Sequence, residues 1–404
     1  MKEEKLLNGE VYNNIKESKM SETVKGFNDY TGKEARKRDK IIQIIRNIFE
    51  IYGFEPAETP VVEYEEFAKG ENIADQAVRD IFKLQDRGER KLALRYEFTF
   101  QLKRISQNKK LPYRRYQIGA VFRDEPVREG RARQFIQCDA DIVGSTIRDE
   151  AENLRILERI LKELKIDSKI YINNRKLLNE ILEKEGIKKE NFKDIIREID
   201  KLDKLDEKEI KESLKKYKAE KIIPIFKKPE SFFKKYDSYK EIAELKEYCK
   251  NFGVEVSFRP YLARGFSYYN GTVFEVWSKK LNVAICGGGS FLVNGIQSTG
   301  ISLGIEPIFL LADIKPDNID FLVISIGQEK KAAELAEKLR KQGKKTIIMY
   351  NKVSKALEFA NSYSIPYVIF LGKEETKKKK FKLRDMKTGS EKLIAESQLI
   401  KELS

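Results

Sequence analysis

Large apolar residues recur at helical spacing in two segments of the chain. In residues 32–52 they fall on one face of a helix, and they are Ile41, Ile42, Ile45, Ile48, Phe49 and Tyr52. Gly53 follows them, and glycine commonly ends helices. Residues 148–165 show a similar spacing. The pattern therefore predicts two amphipathic helices, one over 32–52 and one over 148–165.

Apolar and polar residues alternate in a different stretch, which indicates β-strands. Tyr116, Ile118, Ala120 and Phe122 occupy every second position before a charged turn. The run from Phe135 to Val143 is again extended and partly apolar. The two runs predict the arms of an antiparallel hairpin with a charged loop between them.

The remaining pattern divides the chain into further segments. Residues 90–104 begin as an alternating strand and pass into a helix, whereas residues 174–250 are rich in Lys and Glu at helical spacing, which predicts a helical insertion. Strand character returns between residues 251 and 315. From residue 316 to residue 404 apolar strands alternate with helices. This alternation predicts a separate, small α/β domain with a largely parallel sheet.

Composition limits the classes of protein that the sequence fits. At 404 residues the chain has room for two or three domains. Its 80 Lys and Arg outnumber 65 Asp and Glu, and the net charge of +15 suits a polyanionic partner. Residues 1–20 are charged, and we expect a loosely held tail there rather than a signal peptide. Because no segment has the roughly 18 consecutive apolar residues of a membrane span, we expect a soluble protein without a membrane partner.

Cysteine and histidine usage narrows the chemistry. Cys138, Cys249 and Cys286 lie far apart, so neither a disulfide framework nor a zinc site is indicated, and a cytoplasmic location is expected. The sequence contains no histidine, which excludes His-based acid–base catalysis, Ser–His triads and His metal sites. Any chemistry must then depend on Arg, Glu, Asp, Tyr or a metal ion.

The predicted hairpin carries side chains suited to a nucleotide phosphate. Arg123 and Glu125 leave the first arm, and more arginines crowd the loop. Gln137, Asp139 and Asp141 follow on the return arm at the period-two spacing of one sheet face. Guanidinium groups make bidentate contacts with phosphate, so converging arginines suit triphosphate binding. The alternative is a solvated charged hairpin, which charge alone would favour slightly.

The order of these residues matches a family motif. The segment FRDEPVREGRARQF resembles motif 2 of the class II aminoacyl-tRNA synthetases, in the form typical of histidyl-tRNA synthetases. The resemblance identifies the helix over 32–52, with Pro60, as motif 1, the dimer interface of the class. It implies an α+β fold with an antiparallel-sheet catalytic core in residues 21–173 and 251–315, interrupted by the helical insertion. An anticodon-binding domain is implied for residues 316–404.

Two further segments resemble the histidine-binding motifs of the family. LRYEFTFQL is similar to LRPEGTA, which implies that Glu97 and Thr99 hold the amino group of the substrate histidine. YLARGFSYYNGTVFEV is similar to the histidine-specific signature RGLDYY or RGLSYY. It implies that Tyr268 and Tyr269 bind histidine, with Tyr269 the better match to the imidazole-binding hydroxyl. It also implies a catalytic cation, Arg264, on the carboxylate and the α-phosphate. Taken alone, these residues would be ordinary strand and aromatic packing positions.

Motif 2 implies the remaining contacts. Arg123 matches the catalytic arginine that grips the α-phosphate, and Phe135 matches the ring that stacks on adenine. Gln137 and Asp141 match positions that recognise the polar groups of histidine, with Asp141 as the acceptor of an imidazole N–H. The other residues implied to face ATP are Glu125, Arg131 and, in motif 3, Glu306.

The chain departs from the family pattern in two motifs. Relatives usually continue the glycine run of residues 287–289 as GGGRYD, whereas this chain has Phe291 in place of the tyrosine. The arginine of motif 3 that sandwiches adenine is replaced by Pro307, which supplies no charge. The triphosphate is therefore expected to depend on the remaining arginines and on Mg²⁺.

The resemblance implies a homodimeric synthetase of the archaeal type that acts on L-histidine, ATP and tRNA(His). Two other functions fit part of the sequence. One is a histidine-binding regulatory subunit of ATP phosphoribosyltransferase, a relative that lacks the anticodon-binding domain. The other is a non-catalytic synthetase-like paralogue, for which Pro307, Phe291 and Ser290 are the signals. Residues 316–404 favour the synthetase.

Overall fold

The computed structural model describes residues 22–70, 76–203, 205–264, 268–281, 284–350, 352–378, 380–395 and 398. These residues belong to two compact units, which divide between Ile314 and Lys315. The predicted tail, residues 1–20, lies outside the described residues. Within the described part of the chain no helix is both long and apolar enough to cross a membrane.

The first unit combines strands and helices throughout its length. In chain order its elements are α1 (Gly32–Ile51), β1 (Glu55–Pro56), β2 (Val62–Tyr64), α2 (Glu65–Lys69), α3 (Gln76–Arg79), β3 (Lys83–Gln85), β4 (Lys91–Leu94), α4 (Thr99–Ile105), β5 (Tyr113–Phe122), β6 (Gln134–Val143), α5 (Ile147–Glu163), β7 (Lys169–Asn174), α6 (Arg175–Lys184), α7 (Phe192–Ile199), α8 (Glu207–Lys215), α9 (Glu230–Phe233), α10 (Tyr239–Asn251), β8 (Val256–Phe258), β9 (Tyr269–Trp277), β10 (Ala284–Val293), β11 (Ile296–Gly304) and α11 (Ile305–Leu311).

Helix α1 forms because its apolar side chains share one face. Ile41, Ile45, Ile48 and Phe49 are buried, at the spacing that places them on one side of a helix. Beyond the helix, Gly53 adopts a left-handed backbone with φ of 76°, which glycine tolerates without steric cost. The structure confirms the helix predicted over 32–52 to within one residue at its end.

Helix α5 confirms the second predicted helix. It begins where the backbone N–H of Thr146 donates to the Asp149 carboxylate at 2.8 Å, which satisfies an amide at the helix start. Leu154, Leu157 and Leu161 lie on its buried face. The helix therefore packs its apolar stripe inward and leaves its charged side chains outside.

An eight-stranded sheet, in the order β1-β5-β6-β11-β10-β9-β7-β8, forms the centre of the first unit. Strands β5 and β6 pair antiparallel, from Tyr113 opposite Val143 to Phe122 opposite Gln134. The predicted hairpin is thus confirmed. The inner pairs are antiparallel, whereas the edge pairs β1–β5 and β7–β8 are parallel.

Strand β6 separates the hydrophobic core from a polar face. Cys138, Ala140 and Ile142 are buried in the same core as α1 and α5. Because side chains alternate along a strand, Gln137 and Asp141 point to the opposite face. The helices therefore cover one side of the sheet, and the other side presents polar groups.

The insertion between β7 and β8 is helical, as predicted for residues 174–250. At its start, the Asn174 side chain accepts the backbone N–H of Lys176 at 2.8 Å and caps α6. Helix α7 buries Ile195, Ile196 and Ile199, which belong to the same hydrophobic core as α1. The insertion is therefore packed against the eight-stranded sheet rather than held apart from it.

The second unit has its own five-stranded sheet, in the order β13-β12-β14-β15-β16. Its elements are β12 (Phe321–Ser325), α12 (Glu329–Lys341), β13 (Thr346–Met349), α13 (Val353–Ser362), β14 (Tyr367–Leu371), α14 (Lys373–Lys377), β15 (Lys380–Asp385) and β16 (Glu391–Ala395). Strand β12 pairs parallel with β13 and β14, but β15 and β16 add antiparallel pairs. The prediction of a largely parallel sheet is wrong for β15 and β16. The tight turn between Asp385 and Ser390 joins these two strands and can connect only antiparallel neighbours.

Candidate active site

A cavity of about 390 Å³ opens on the polar face of the eight-stranded sheet. All of the predicted site side chains line it, although they come from distant parts of the sequence. They are Glu97, Thr99, Arg123, Glu125, Arg131, Phe135, Gln137, Asp141, Arg264, Tyr268, Tyr269 and Glu306. The fold therefore brings together the segments that the sequence analysis singled out.

Strand β6 supplies the polar floor of this cavity. Gln137 and Asp141 are buried, and Asp139 lies between them on the same face. The Gln137 amide donates to the Asp139 carboxylate at 2.7 Å, and its oxygen accepts from Arg123 at 3.4 Å. Ser302, opposite Asp139 on β11, is also hydrogen-bonded to Asp139. The floor is a connected polar network on a rigid sheet.

Arg115 and Asp141 form a buried ion pair within this floor. The guanidinium Nη2 lies 2.6 Å from the carboxylate Oδ2, and the Arg115 side chain has no exposed surface. Burial raises the pKa of Asp141 to about 7, and the positive charge of Arg115 opposes that shift. At Gly300, opposite Asp141 on β11, a Cβ would lie 1.9 Å from the other carboxylate oxygen, so this position requires glycine. The Asp141 carboxylate is therefore confined on two sides.

The turn between β4 and α4 brings Glu97 and Thr99 to the cavity. Glu97 is 3% exposed, and burial raises its pKa to about 8, although the charge of Arg123 opposes the shift. The Tyr268 hydroxyl donates to the Glu97 carboxylate at 3.3 Å. The ring of Tyr269 lies 4.8 Å from that of Tyr268 between centroids. A carboxylate and hydroxyls thus converge on one end of the cavity.

Arginines and an aromatic ring from the hairpin line another part of the cavity. The Arg123 guanidinium lies 5.1 Å from the centre of the Phe135 ring and donates to the backbone carbonyl of Tyr96 at 3.1 Å. Arg131 contacts Glu125 at 3.2 Å, and its side chain remains half exposed. The cavity therefore offers a ring face and two guanidinium groups side by side.

Arg264 reaches the cavity from the segment that precedes β9. Its φ of 65° is left-handed, which is rare for a residue with a side chain. The guanidinium lies 3.4 Å from the Glu275 carboxylate. A Cβ on Gly287 would fall 1.7 Å from Arg264 Nη1, so the glycine makes room for this side chain.

The two departures from the family pattern both line the cavity. Phe291 packs its ring against Tyr268, with centroids 5.6 Å apart, and offers no hydroxyl. Pro307 lies in the first turn of α11 and adds no charge. Its neighbour Glu306 is paired with Arg38 of α1 at 2.7 Å.

The structure also shows site residues without a predicted role. Asp139 was placed on the correct face by its period-two spacing, but it matched no family motif. Glu275, Ser302 and Asp200 line the cavity as well. Glu275 lies within the segment YLARGFSYYNGTVFEV that resembles the histidine-specific signature, which was a usable signal. Asp200 belongs to the charged insertion, where no local pattern distinguished it.

Two family models match the chain. Residues 26–308 match the histidyl-tRNA synthetase model, and residues 320–404 match the anticodon-binding domain model. The chain is 33% identical to histidine–tRNA ligase 1 of Bacillus cereus ATCC 10987, over 93% of its own length and 95% of that protein. It is also 33% identical to the histidine–tRNA ligase of Nanoarchaeum equitans, over 92% of its own length and 96% of that protein.

Solved structures show the same architecture. The histidyl-tRNA synthetase of Nostoc sp. PCC 7120 superposes with a TM-score of 0.81 at 26% identity, covering 95% of this chain and 98% of that one. A Bacillus halodurans C protein described as an ATP phosphoribosyltransferase regulatory subunit/histidyl-tRNA synthetase superposes with a TM-score of 0.72 over 87% of this chain and 98% of that one. At 20% identity that second likeness concerns the fold alone.

The catalytic sheet, its cavity and the separate second unit define a class II aminoacyl-tRNA synthetase. Because the family model and the curated relatives span nearly the whole chain, the chain belongs to the histidyl-tRNA synthetase family. It is an enzyme, a histidine–tRNA ligase that uses ATP.

Proposed function

We propose that the cavity holds histidine and ATP side by side and aligns them for adenylate formation. The observation that carries this proposal is the convergence of Arg123 and Arg264, from distant parts of the sequence, on the cavity that also contains Glu97 and Phe135. The carboxylate oxygen of histidine attacks the α-phosphorus, and pyrophosphate leaves. A terminal hydroxyl of tRNA(His) then attacks the carbonyl carbon, and AMP leaves.

The histidine end of the cavity contains the carboxylates and hydroxyls. Glu97, with Thr99, binds the α-ammonium group, because an ionised carboxylate accepts strong charge-assisted hydrogen bonds. Gln137 and Asp141 face the polar groups of histidine, with Asp141 accepting an imidazole N–H. Tyr268 and Tyr269 supply hydroxyls to the same region, where Tyr269 is buried and Tyr268 is partly buried.

The ATP end of the cavity contains the hairpin residues. Phe135 stacks on adenine, and Glu125 and Arg131 face the nucleotide. Arg123 and Arg264 flank the α-phosphate, where negative charge builds up as the new bond forms. No side chain acts as a nucleophile. The rate enhancement therefore comes from alignment of the reactants and from fixed positive charge.

The residues present are compatible with Mg²⁺ bound together with the triphosphate. The Glu306 Oε2 atom is buried and has no hydrogen-bond partner among the described residues. Mg²⁺ is commonly held by one or two carboxylates and by substrate phosphates. Within the described residues no group of three acidic, cysteine or histidine ligands is present, so phosphate oxygens would complete the coordination of an ion at Glu306. When bound, Mg²⁺ supplies positive charge to the triphosphate.

The second unit is proposed to bind the anticodon of tRNA(His). Its match to an anticodon-binding domain model and the net charge of +15 support a polyanionic partner. Lys380, Lys382 and Arg384 follow one another at every second position of β15, which lies between β14 and β16 in the sheet. The cytoplasm is the proposed location, and the three free, buried cysteines support it.

A homodimer is proposed from the small sheet β2-β4-β3. Tyr64 and Leu84 both pair with Leu92, and Val62 pairs with Leu94, so these side chains share one face. Val62, Tyr64 and Leu84 are exposed on that face, whereas Glu63 on the opposite face is buried. Contiguous exposed apolar groups on a sheet mark an interaction surface. A second copy of the chain is the occupant we propose.

Histidine-dependent exchange of pyrophosphate into ATP tests the catalytic proposal. We expect exchange by the wild-type protein and a loss of about 100-fold or more in kcat for Arg264→Ala, with histidine affinity changed far less. Equal losses in kcat and in histidine affinity would contradict the role of Arg264. Wild-type protein that binds histidine but exchanges no pyrophosphate would overturn the proposed function.

A further inference from the structure

The peptide group between Leu262 and Ala263, one peptide before the bond that joins Ala263 to Arg264, is held on both sides. On one side, the backbone N–H of Ala263 donates to the Asp200 carboxylate at 2.9 Å. On the other side, the carbonyl of Leu262 accepts from the Asn173 amide at 2.8 Å. The carbonyl of Leu262 and the N–H of Ala263 belong to one planar peptide group, so the two bonds fix the orientation of that plane.

The two groups that hold this peptide come from different parts of the fold. Asn173 lies near the end of β7 in the central sheet and is 1% exposed. Asp200 directly follows α7 of the helical insertion, where Ile196 and Ile199 are buried in the core. Both anchors are therefore attached to rigid elements.

A second contact joins the turn that follows α7 to the segment that leads to Arg264. The Arg259 guanidinium lies 3.1 Å from the Asp203 carboxylate and 3.5 Å from the centre of the Tyr171 ring. The turn after α7 thus contacts this segment twice, at Arg259 through Asp203 and at Ala263 through Asp200. These contacts define the path by which the chain enters Arg264.

Arg264 requires such support because its backbone is strained. A left-handed conformation is unfavourable for a residue with a side chain and persists only where the surroundings hold it. Its guanidinium also fits into a space that a single methyl group on Gly287 would fill. A small rotation of the preceding peptide would therefore move the charged group away from its place in the cavity.

We propose that Asp200 is a positioning residue for Arg264. It holds the Leu262–Ala263 peptide through one hydrogen bond and thereby makes the helical insertion necessary for adenylate formation. This inference rests on the proposed function of Arg264. Because Asp200 also lines the cavity, its role as a hydrogen-bond acceptor has to be separated from an effect of its charge on the substrates.

Asp200→Ala and Asp200→Asn make that separation, since asparagine keeps an acceptor oxygen and removes the charge. For Asp200→Ala we expect kcat of pyrophosphate exchange to fall by about 10- to 100-fold while KM for histidine changes by less than about threefold. Asp200→Asn is expected to retain the wild-type kcat within about threefold. Asp206→Ala, which removes the cap of α8 in the same insertion, is the control and is expected to leave kcat unchanged.

The inference is overturned if Asp200→Ala keeps the wild-type kcat, or if Asp200→Asn is as impaired as Asp200→Ala. Unfolding followed by the fluorescence of the single tryptophan, Trp277, shows whether each variant is folded. If Asp200→Ala is not folded, Asp200→Ser is measured against the same two outcomes. Failure of the proposed function is distinguishable, because the wild-type protein would then show no exchange at all.

Discussion

Arg115 and Asp141 form an ion pair at 2.6 Å in the floor of the active site, and both side chains are almost completely buried. The pair joins β5 to β6 at the point where Arg115 lies opposite Asp141 in the sheet. It also gives the Asp141 carboxylate a fixed orientation toward the cavity.

The ion pair predicts a large loss of stability when only one partner is removed. Arg115→Met leaves a buried carboxylate without its cation, and we expect the free energy of unfolding to fall by about 3–5 kcal/mol. Urea unfolding followed by Trp277 fluorescence measures the effect on the catalytic unit. The double variant Arg115→Met/Asp141→Asn is expected to lose less, because no unpaired charge remains. A double variant as unstable as Arg115→Met would contradict this explanation.

Histidine binding should release a proton from Glu97. Burial raises the pKa of this carboxyl to about 8, so at neutral pH it is largely protonated in the empty site. The α-ammonium group requires the ionised form, and histidine affinity should therefore increase as the pH rises toward about 8. Calorimetric titrations in two buffers with different ionisation enthalpies count the released protons. Glu97→Gln is the control; proton release of the same size in that variant would assign the effect to another group.

Glu150 should make the stability of the catalytic unit depend on pH. Burial raises its pKa from 4.5 to about 7, although hydrogen bonds from Thr272 and Ser290 oppose the shift. A raised pKa in the folded state means that the folded form binds the proton more tightly. The stabilisation is therefore complete below pH 4.5 and is lost as the pH rises to about 7.

The matching measurement compares wild-type protein with Glu150→Gln across that range. The difference in unfolding free energy between the two is expected to change by about 3 kcal/mol, following 1.36 kcal/mol for each unit of pKa shift. If the unfolding free energies of the wild-type protein and Glu150→Gln change in parallel with pH, Glu150 does not titrate as described.

A methyl group at Gly287 should disable the site through Arg264. The Cβ of Gly287→Ala would lie 1.7 Å from Arg264 Nη1, so the guanidinium has to move. We expect kcat of pyrophosphate exchange to fall by about 100-fold, as for other misplacements of about 1 Å at a reacting centre. Gly88→Ala is the control, because the nearest atom to its Cβ is 3.5 Å away in an exposed turn. Unchanged kcat in Gly287→Ala would mean that Arg264 has more freedom than the structure shows.

The exposed face of the small sheet should determine the oligomeric state. Tyr64→Arg places a charge in the proposed contact between two copies and is expected to shift the protein from dimer to monomer in sedimentation experiments. Tyr350→Arg is a matched control, since Tyr350 is equally exposed at 58% but lies in the second unit. Dimers that persist in Tyr64→Arg would place the interface elsewhere.

Sequence patterns were sufficient where a side chain's direction depends on its own strand or helix. The alternation along β6 placed Gln137 and Asp141 on one face, and the structure brings both to the cavity. The apolar spacing of α1 likewise identified its buried face. The antiparallel edge of the second sheet was not recognised, because strand direction depends on the connection as well as on the apolar pattern.

The sequence by itself determined the order of elements, the polar face of the hairpin and the residues that match the family motifs, since each depends on local spacing or on local residue order. Only the tertiary structure decided that Arg115 pairs with Asp141 and that Asp200 holds the Leu262–Ala263 peptide near Arg264. Asp200 and Ala263 are separated by 63 residues, and no periodicity relates them. They meet because the insertion packs its apolar helix faces onto the central sheet. Packing between segments that are distant in sequence cannot be predicted from local residue spacing.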